Sequence, residues 1–92
     1  MIKGFKHKGL KRYWEKNDKR GIQNKHLTKI KLILDVLDTA FVVDDINFPG
    51  SNLHILEPKQ NNIWAVDVSG NWRITFKFEN NNVYIVDYLD YH

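Results

Sequence analysis

The 92-residue chain contains no cysteine, which excludes a disulfide framework and any thiolate metal site and fits a reducing compartment. It has no apolar run near the roughly 20 residues that a membrane-spanning helix requires. Its opening, MIKGFKHKGLKR, lacks the hydrophobic segment of a secretion signal. These absences predict a soluble, cytoplasmic protein with no membrane partner. No close H-x-x-x-H pair occurs among its four histidines, so neither a metal nor another cofactor is expected. Acidic residues are scarce too, but only at one end. Residues 1–31 hold 11 Lys and Arg against 2 Asp and Glu, a balance of +9, whereas the remaining residues carry −6. One end of the fold is therefore expected to attract a polyanion: RNA, DNA or an acidic protein.

What is present is enough for one core. With 42% hydrophobic and 13% aromatic residues, residues 1–92 are expected to form a single domain without help from metal or disulfides. Ile2 to Phe5 reads as a short edge strand. Leu10, Tyr13 and Trp14 recur at helical spacing between Lys8 and Lys16, with Lys11, Arg12 and Glu15 on the other face, which predicts a short amphipathic helix. Gly21 follows as a turn residue. A longer helix is predicted from an N-cap at Asn24, with Leu27, Ile30, Ile33, Leu34, Leu37 and Phe41 in its apolar stripe. Lys25, His26, Lys29 and Lys31 fall mainly off that stripe, as a basic flank. Phe41 to Asn52 shows no clear period and reads as a loop.

From there the period is two. Asn52–Leu56 is a predicted strand with His54 opposite Leu53 and Ile55, and Trp64, Val66 and Val68 alternate with Ala65, Asp67 and Ser69. A tight turn at Ser69-Gly70-Asn71 leads into Trp72, Ile74, Phe76 and Phe78, which alternate with Arg73, Thr75, Lys77 and Glu79. The Asn80-Asn81-Asn82 turn precedes a last strand, Val83–Leu89, and a polar ending, Asp90-Tyr91-His92. Two helices followed by hairpin-linked strands predict an α+β domain, with the helices packed on one face of an antiparallel sheet. Trp14, Trp64 and Trp72 each lie on an apolar stripe and are expected in the core.

IKGFKHKGLK at the start, Asn52-Leu53-His54, the NWRITF of Asn71 to Phe76 and the DYLDYH of Asp87 to His92 together resemble the HigB branch of the RelE/ParE superfamily of bacterial toxins. The likeness spans the whole chain. It implies a toxin of a type II toxin-antitoxin system that enters the ribosomal A site and cuts translated messenger RNA. The implied partners are the ribosome, mRNA and a HigA-like helix-turn-helix antitoxin, through which alone operator DNA is contacted. Carried over residue by residue, the catalytic positions are His54, Arg73, Asp90, Tyr91 and His92. Asn71 is an RNA contact, and Lys59, Lys8, Lys11 and Arg12 are candidates for further ones. After His54 the members often have Pro-Leu-Lys-Gly, where this chain has Ile55-Leu56-Glu57-Pro58-Lys59. Glu57 thus replaces a basic residue able to touch phosphate.

Such cleavage requires the 2′-hydroxyl to lose a proton, charge on the phosphate to be stabilised and the departing 5′-oxygen to gain a proton. Histidine suits the two transfers, and the always-charged guanidinium of Arg73 suits the phosphate. His54 and His92 are the expected acid/base pair, with their order open. Asp90 is expected to fix a histidine tautomer or take the 2′-hydroxyl proton, and Tyr91 to stack on a base. On the residues alone, Arg73 serves equally to pair with Asp67 or Asp87 across neighbouring strands. Two other functional readings also stand at this point: a non-catalytic, ParE-like inhibitor of DNA gyrase, and a degenerate toxin acting only as an antitoxin-binding partner.

Overall fold

The computed structural model describes residues 1–57 and 62–90. Within them lie helices α1 (Lys8–Lys16) and α2 (Leu27–Thr39) and strands β1 (His54–Glu57), β2 (Ile63–Ser69), β3 (Trp72–Glu79) and β4 (Asn82–Asp90). The strands form one antiparallel sheet in the order β1-β2-β3-β4, the arrangement that successive hairpins produce. The fold is α+β, with both helices packed on one face of the sheet. No helix among the described residues is long and apolar enough to cross a membrane.

Helix α1 turns Leu10 and Tyr13 inward and leaves Lys8, Lys11, Arg12, Glu15 and Lys16 exposed. Its start is fixed by His7, whose Nδ1 accepts the Leu10 N–H at 3.1 Å. Its end is fixed by Asn17, which takes the left-handed conformation at φ 55°, where asparagine is tolerated. Just beyond it the chain folds back so that Gly21 meets Gly9. A Cβ on Gly21 would lie 2.6 Å from the Gly9 Cα, and one on Gly9 would lie 3.0 Å from the Gly21 Cα. The crossing therefore needs glycine on both sides.

Helix α2 carries Ile30, Ile33, Leu34 and Leu37, all fully buried. Three details differ from expectation. Asn24 does not cap α2; it opens a single 3₁₀ turn, Asn24–His26, and α2 begins at Leu27. Phe41 is 68% exposed, because the helix stops at Thr39 before the stripe reaches it. His26 is not part of a basic flank but 1% exposed, because the tighter 3₁₀ turn rotates it inward. Lys29 bends back to the Gly50 carbonyl at 3.3 Å, so Lys25 and Lys31 are the exposed lysines of that group.

The helices cover Val66, Ile74, Phe76, Val83 and Val86, which are buried to 1% exposure or less. Trp14, Trp64 and Trp72 pack against this core while partly exposed. Asn80 and Asn81, at φ 52° and 65°, form the two-residue loop between β3 and β4; two successive positive φ values match the twist of the flanking strands. The β2–β3 turn uses Gly70 at φ 56°, and a bulge at Val68 offsets the register from Asp67↔Arg73 to Ser69↔Trp72. The N-terminal segment lies along β4 as the expected edge element. It makes two isolated parallel bridges, Ile2 to Val83 and Phe5 to Val86, rather than a continuous strand, because β4 itself is bulged around Ile85 at φ 47°.

Candidate active site

Strand alternation leaves a second face of the sheet, turned away from the helices, and the register shows what it carries. His54 pairs with Ala65, Ala65 with Thr75, and Thr75 with Asp87, so these four lie in one row across the sheet. The next row runs from Asp67 through Arg73 to Leu89. Lys77 stands two residues beyond Thr75 on the same face. Ala65 and Thr75 are buried, and His54, Asp67, Arg73 and Lys77 are half-buried around them.

His54 and Arg73 are joined by a continuous set of polar contacts. The Nδ1 of His54 lies 2.7 Å from the Asn52 carbonyl oxygen. A carbonyl only accepts, so Nδ1 carries a proton, and Nε2 is the ring nitrogen outside this bond. The Asn52 amide in turn donates to Asp67 Oδ2 at 3.2 Å, and Asp67 Oδ1 holds Arg73 Nε at 2.8 Å. Arg73 Nη1 donates to the Gly70 carbonyl at 2.8 Å and to the Trp72 carbonyl at 3.2 Å. None of these bonds uses Nη2. Among the described residues the guanidinium is thus held by an ion pair at Nε and hydrogen bonds at Nη1, with Nη2 outside these contacts, as a group must be if it is to receive a phosphate without first reorganising.

Asn52 reaches this position because it takes a left-handed conformation, φ 48°, which turns the chain into β1. Its part was missed from sequence. An asparagine two residues before a strand histidine is a turn signal, and only the paired strands show that it bridges His54 to Asp67. Lys77 was passed over as well, though its spacing from Arg73 on β3 already put it on the same face.

The other expected site residues are dispersed. Asn71 is exposed at the β2–β3 turn, next to the Gly70 carbonyl that holds Arg73. Asp90 ends β4 opposite Trp72, so it alternates with Leu89, the residue in line with Arg73. The partner of His54 Nδ1 is the Asn52 carbonyl. Lys8, Lys11 and Arg12 lie on the exposed side of α1, where Lys11 joins Ile2, Lys3, Gly4, Phe5, Trp14 and Glu15 around a groove of about 330 Å³. They are not on the sheet face that carries His54 and Arg73. Lys59, Tyr91 and His92 lie outside the described residues. Among the described residues no cluster of three metal-ligating side chains occurs.

Residues 3–92 match the model of a family described as RelE-like toxin of type II toxin-antitoxin system HigB. Over 92 residues, 100% of both chains, the sequence is 41% identical to the endoribonuclease HigB of Proteus vulgaris. It is also 38% identical over 60 residues to a protein of Haemophilus influenzae described as uncharacterized, a match that spans 64% of this chain and 58% of that one.

Proposed function

Because the chain belongs to the family of RelE-like HigB toxins of type II toxin-antitoxin systems, we propose that it is a ribosome-dependent endoribonuclease that cuts translated mRNA in the A site. The observation that carries this reading is the contact path from His54 through Asn52 and Asp67 to Arg73. It puts the imidazole of His54, its Nδ1 engaged by Asn52 and its Nε2 outside that bond, on the same sheet face as an oriented guanidinium.

In the proposed reaction, His54 Nε2 takes the 2′-hydroxyl proton and the resulting oxyanion attacks the adjacent phosphorus. The Nη2 group of Arg73 meets the charge that builds on the non-bridging oxygens. The 5′-oxygen leaves with a proton from His92, and the products are a 2′,3′-cyclic phosphate and a free 5′-hydroxyl. These side chains supply both proton transfers and the charge stabilisation, so the step is written without a metal. Asn71 and Lys77 border the scissile nucleotide, Asp90 fixes a histidine tautomer, Tyr91 stacks on a base, and Lys8, Lys11, Arg12 and Lys59 contact more distant phosphates. The protein works in the cytoplasm and is restrained by a HigA-like helix-turn-helix antitoxin, which carries the complex to operator DNA.

The test is primer extension on a translated message after induction of wild type, His54→Ala and Arg73→Ala. Wild type gives discrete cleavage and growth arrest, and each variant lowers cleavage by at least about 100-fold. Growth arrest with intact messages and altered plasmid supercoiling would overturn the reading in favour of a gyrase inhibitor.

A further inference from the structure

A block of rings lies against the helix side of β3 and β4, and no step of the proposed reaction uses it. The Nδ1 of His26, itself 1% exposed, lies 2.5 Å from the Tyr88 hydroxyl oxygen. One hydrogen bond therefore joins the imidazole to the phenol. Burial lowers the His26 pKa, with nearby Lys25 adding to the effect, and burial raises that of Tyr88. The pair is neutral at pH 7.

Tyr88 stacks on Trp72 with ring centroids 4.5 Å apart. His26 leans on both rings, 5.6 Å from Trp72 and 5.9 Å from Tyr88. The backbone of Trp72 belongs to the other side of the story. Its carbonyl accepts Nη1 of Arg73, and its strand partner is Asp90.

We infer that the His26–Tyr88 pair is a positioning device for the site on the opposite face. It fixes the ring of Trp72, the ring fixes the Trp72 peptide, and that peptide sets both the Arg73 guanidinium and the place of Asp90 at the end of β4. The kinetic part of this inference rests on the ribonuclease reading; its geometric part does not. Packing alone gives no reason for an imidazole at position 26. His26 Nε2 is buried without a hydrogen-bond partner among the described residues, a cost that an apolar ring of similar size avoids. What an apolar ring lacks is the hydrogen-bond partner that holds the Tyr88 hydroxyl. Neither His26 nor Tyr88 touches the sheet face that receives RNA, so both act through Trp72.

Three variants test this. Tyr88→Phe keeps the stacked ring and removes only the hydroxyl. His26→Leu removes the hydrogen-bond partner, and His26→Asn restores a polar group near the position of Nδ1. Each is measured for cleavage of translated mRNA on purified ribosomes, for thermal unfolding, and for the NMR resonance of the Arg73 Nε–H, which needs no activity. Tyr88→Phe and His26→Leu are each expected to lower kcat about tenfold with KM changed less than about twofold. The double variant is expected to be no slower than the slower single one. His26→Asn is expected to recover most of the rate. The Arg73 Nε–H resonance moves in the first two variants and returns in the third. Should Tyr88→Phe leave both kcat and that resonance unchanged, the positioning role is overturned even if unfolding temperatures fall. If His26→Leu does not fold, Tyr88→Phe decides alone. If the wild type cleaves no RNA while the resonance moves as described, the ribonuclease reading fails and the positioning role stands.

Discussion

Asp67 and Arg73 are partners twice over: their backbones pair across β2 and β3, and their side chains meet with Nε and Oδ1 2.8 Å apart. Both side chains are partly exposed, at 28% and 21%. A pair in that setting contributes at most about 1 kcal/mol to stability. Its consequence is orientation, because Asp67 also accepts from Asn52 and so ties the guanidinium to the turn before His54.

Asp67→Asn keeps the size of the side chain and removes the charge. It is expected to lower mRNA cleavage by about tenfold or more, through loss of the fixed guanidinium, while the urea midpoint changes by the equivalent of about 1 kcal/mol or less. Equal cleavage by Asp67→Asn and wild type would show that Arg73 does not depend on this anchor.

Asn52 separates backbone from side chain. Asn52→Gly keeps the left-handed turn and the carbonyl that holds His54 but loses the amide bond to Asp67, so cleavage should fall only a few-fold. Asn52→Val places a β-branched residue at φ 48° and should cost about 1–2 kcal/mol in strain, with a far larger loss of cleavage as the His54 carbonyl partner shifts. Chemical denaturation and cleavage rates, measured together, check both. Similar rates for the two variants would refute the tautomer-fixing role of the carbonyl.

The contact of Gly9 with Gly21 predicts a stability effect remote from the sheet. Gly21→Ala drives a methyl group against the Gly9 Cα, and Gly9→Ala drives one against Gly21 and the His7 ring. Each should destabilise by about 1–3 kcal/mol, since backbone must move to admit it. Guanidinium denaturation gives the value, and a midpoint within error of wild type would contradict the close crossing.

Stability should fall in mild acid. Burial lowers the pKa of both His7 and His26 from the ordinary 6.5; Arg12 adds to the effect on His7 and Asp87 opposes it, while Lys25 adds to it on His26. Below about pH 6.5 the unfolded chain therefore takes up protons that the folded one resists. The stabilisation is full above that value and is lost as pH falls through the lowered folded-state values. Urea midpoints from about pH 7.5 down to about 5.5 should decline, and less steeply in His26→Asn. A flat profile in the wild type would contradict the buried neutral imidazoles.

Much of the fold could be read from local pattern. The period of α1 gave Lys8–Lys16 to the residue, and alternation placed β3 at Trp72–Glu79, because in both the apolar positions report one covered face. The start of α2 was not legible in this way. Whether Asn24 caps a helix or opens a 3₁₀ turn depends on what His26 packs against, and Tyr88 lies 62 positions away. At the site, the pairing of Arg73 with Asp67 was one of two foreseen on strand grounds, and register chose it over Asp87. The role of Asn52 was beyond reach for the same reason as that of His26: each is defined by a partner from a distant strand.

The parallel bridges of Ile2 and Phe5 to β4 have a kinetic corollary. Residues near the start of the described chain are stitched to the last of the described strands, so this seam spans a loop of about 80 residues and carries its closure entropy. Sheet and helices can gather progressively as the polypeptide lengthens, but the seam shuts only once Val83 to Val86 exist. Clipping the first five residues should accordingly bare the β4 rim and quicken unfolding.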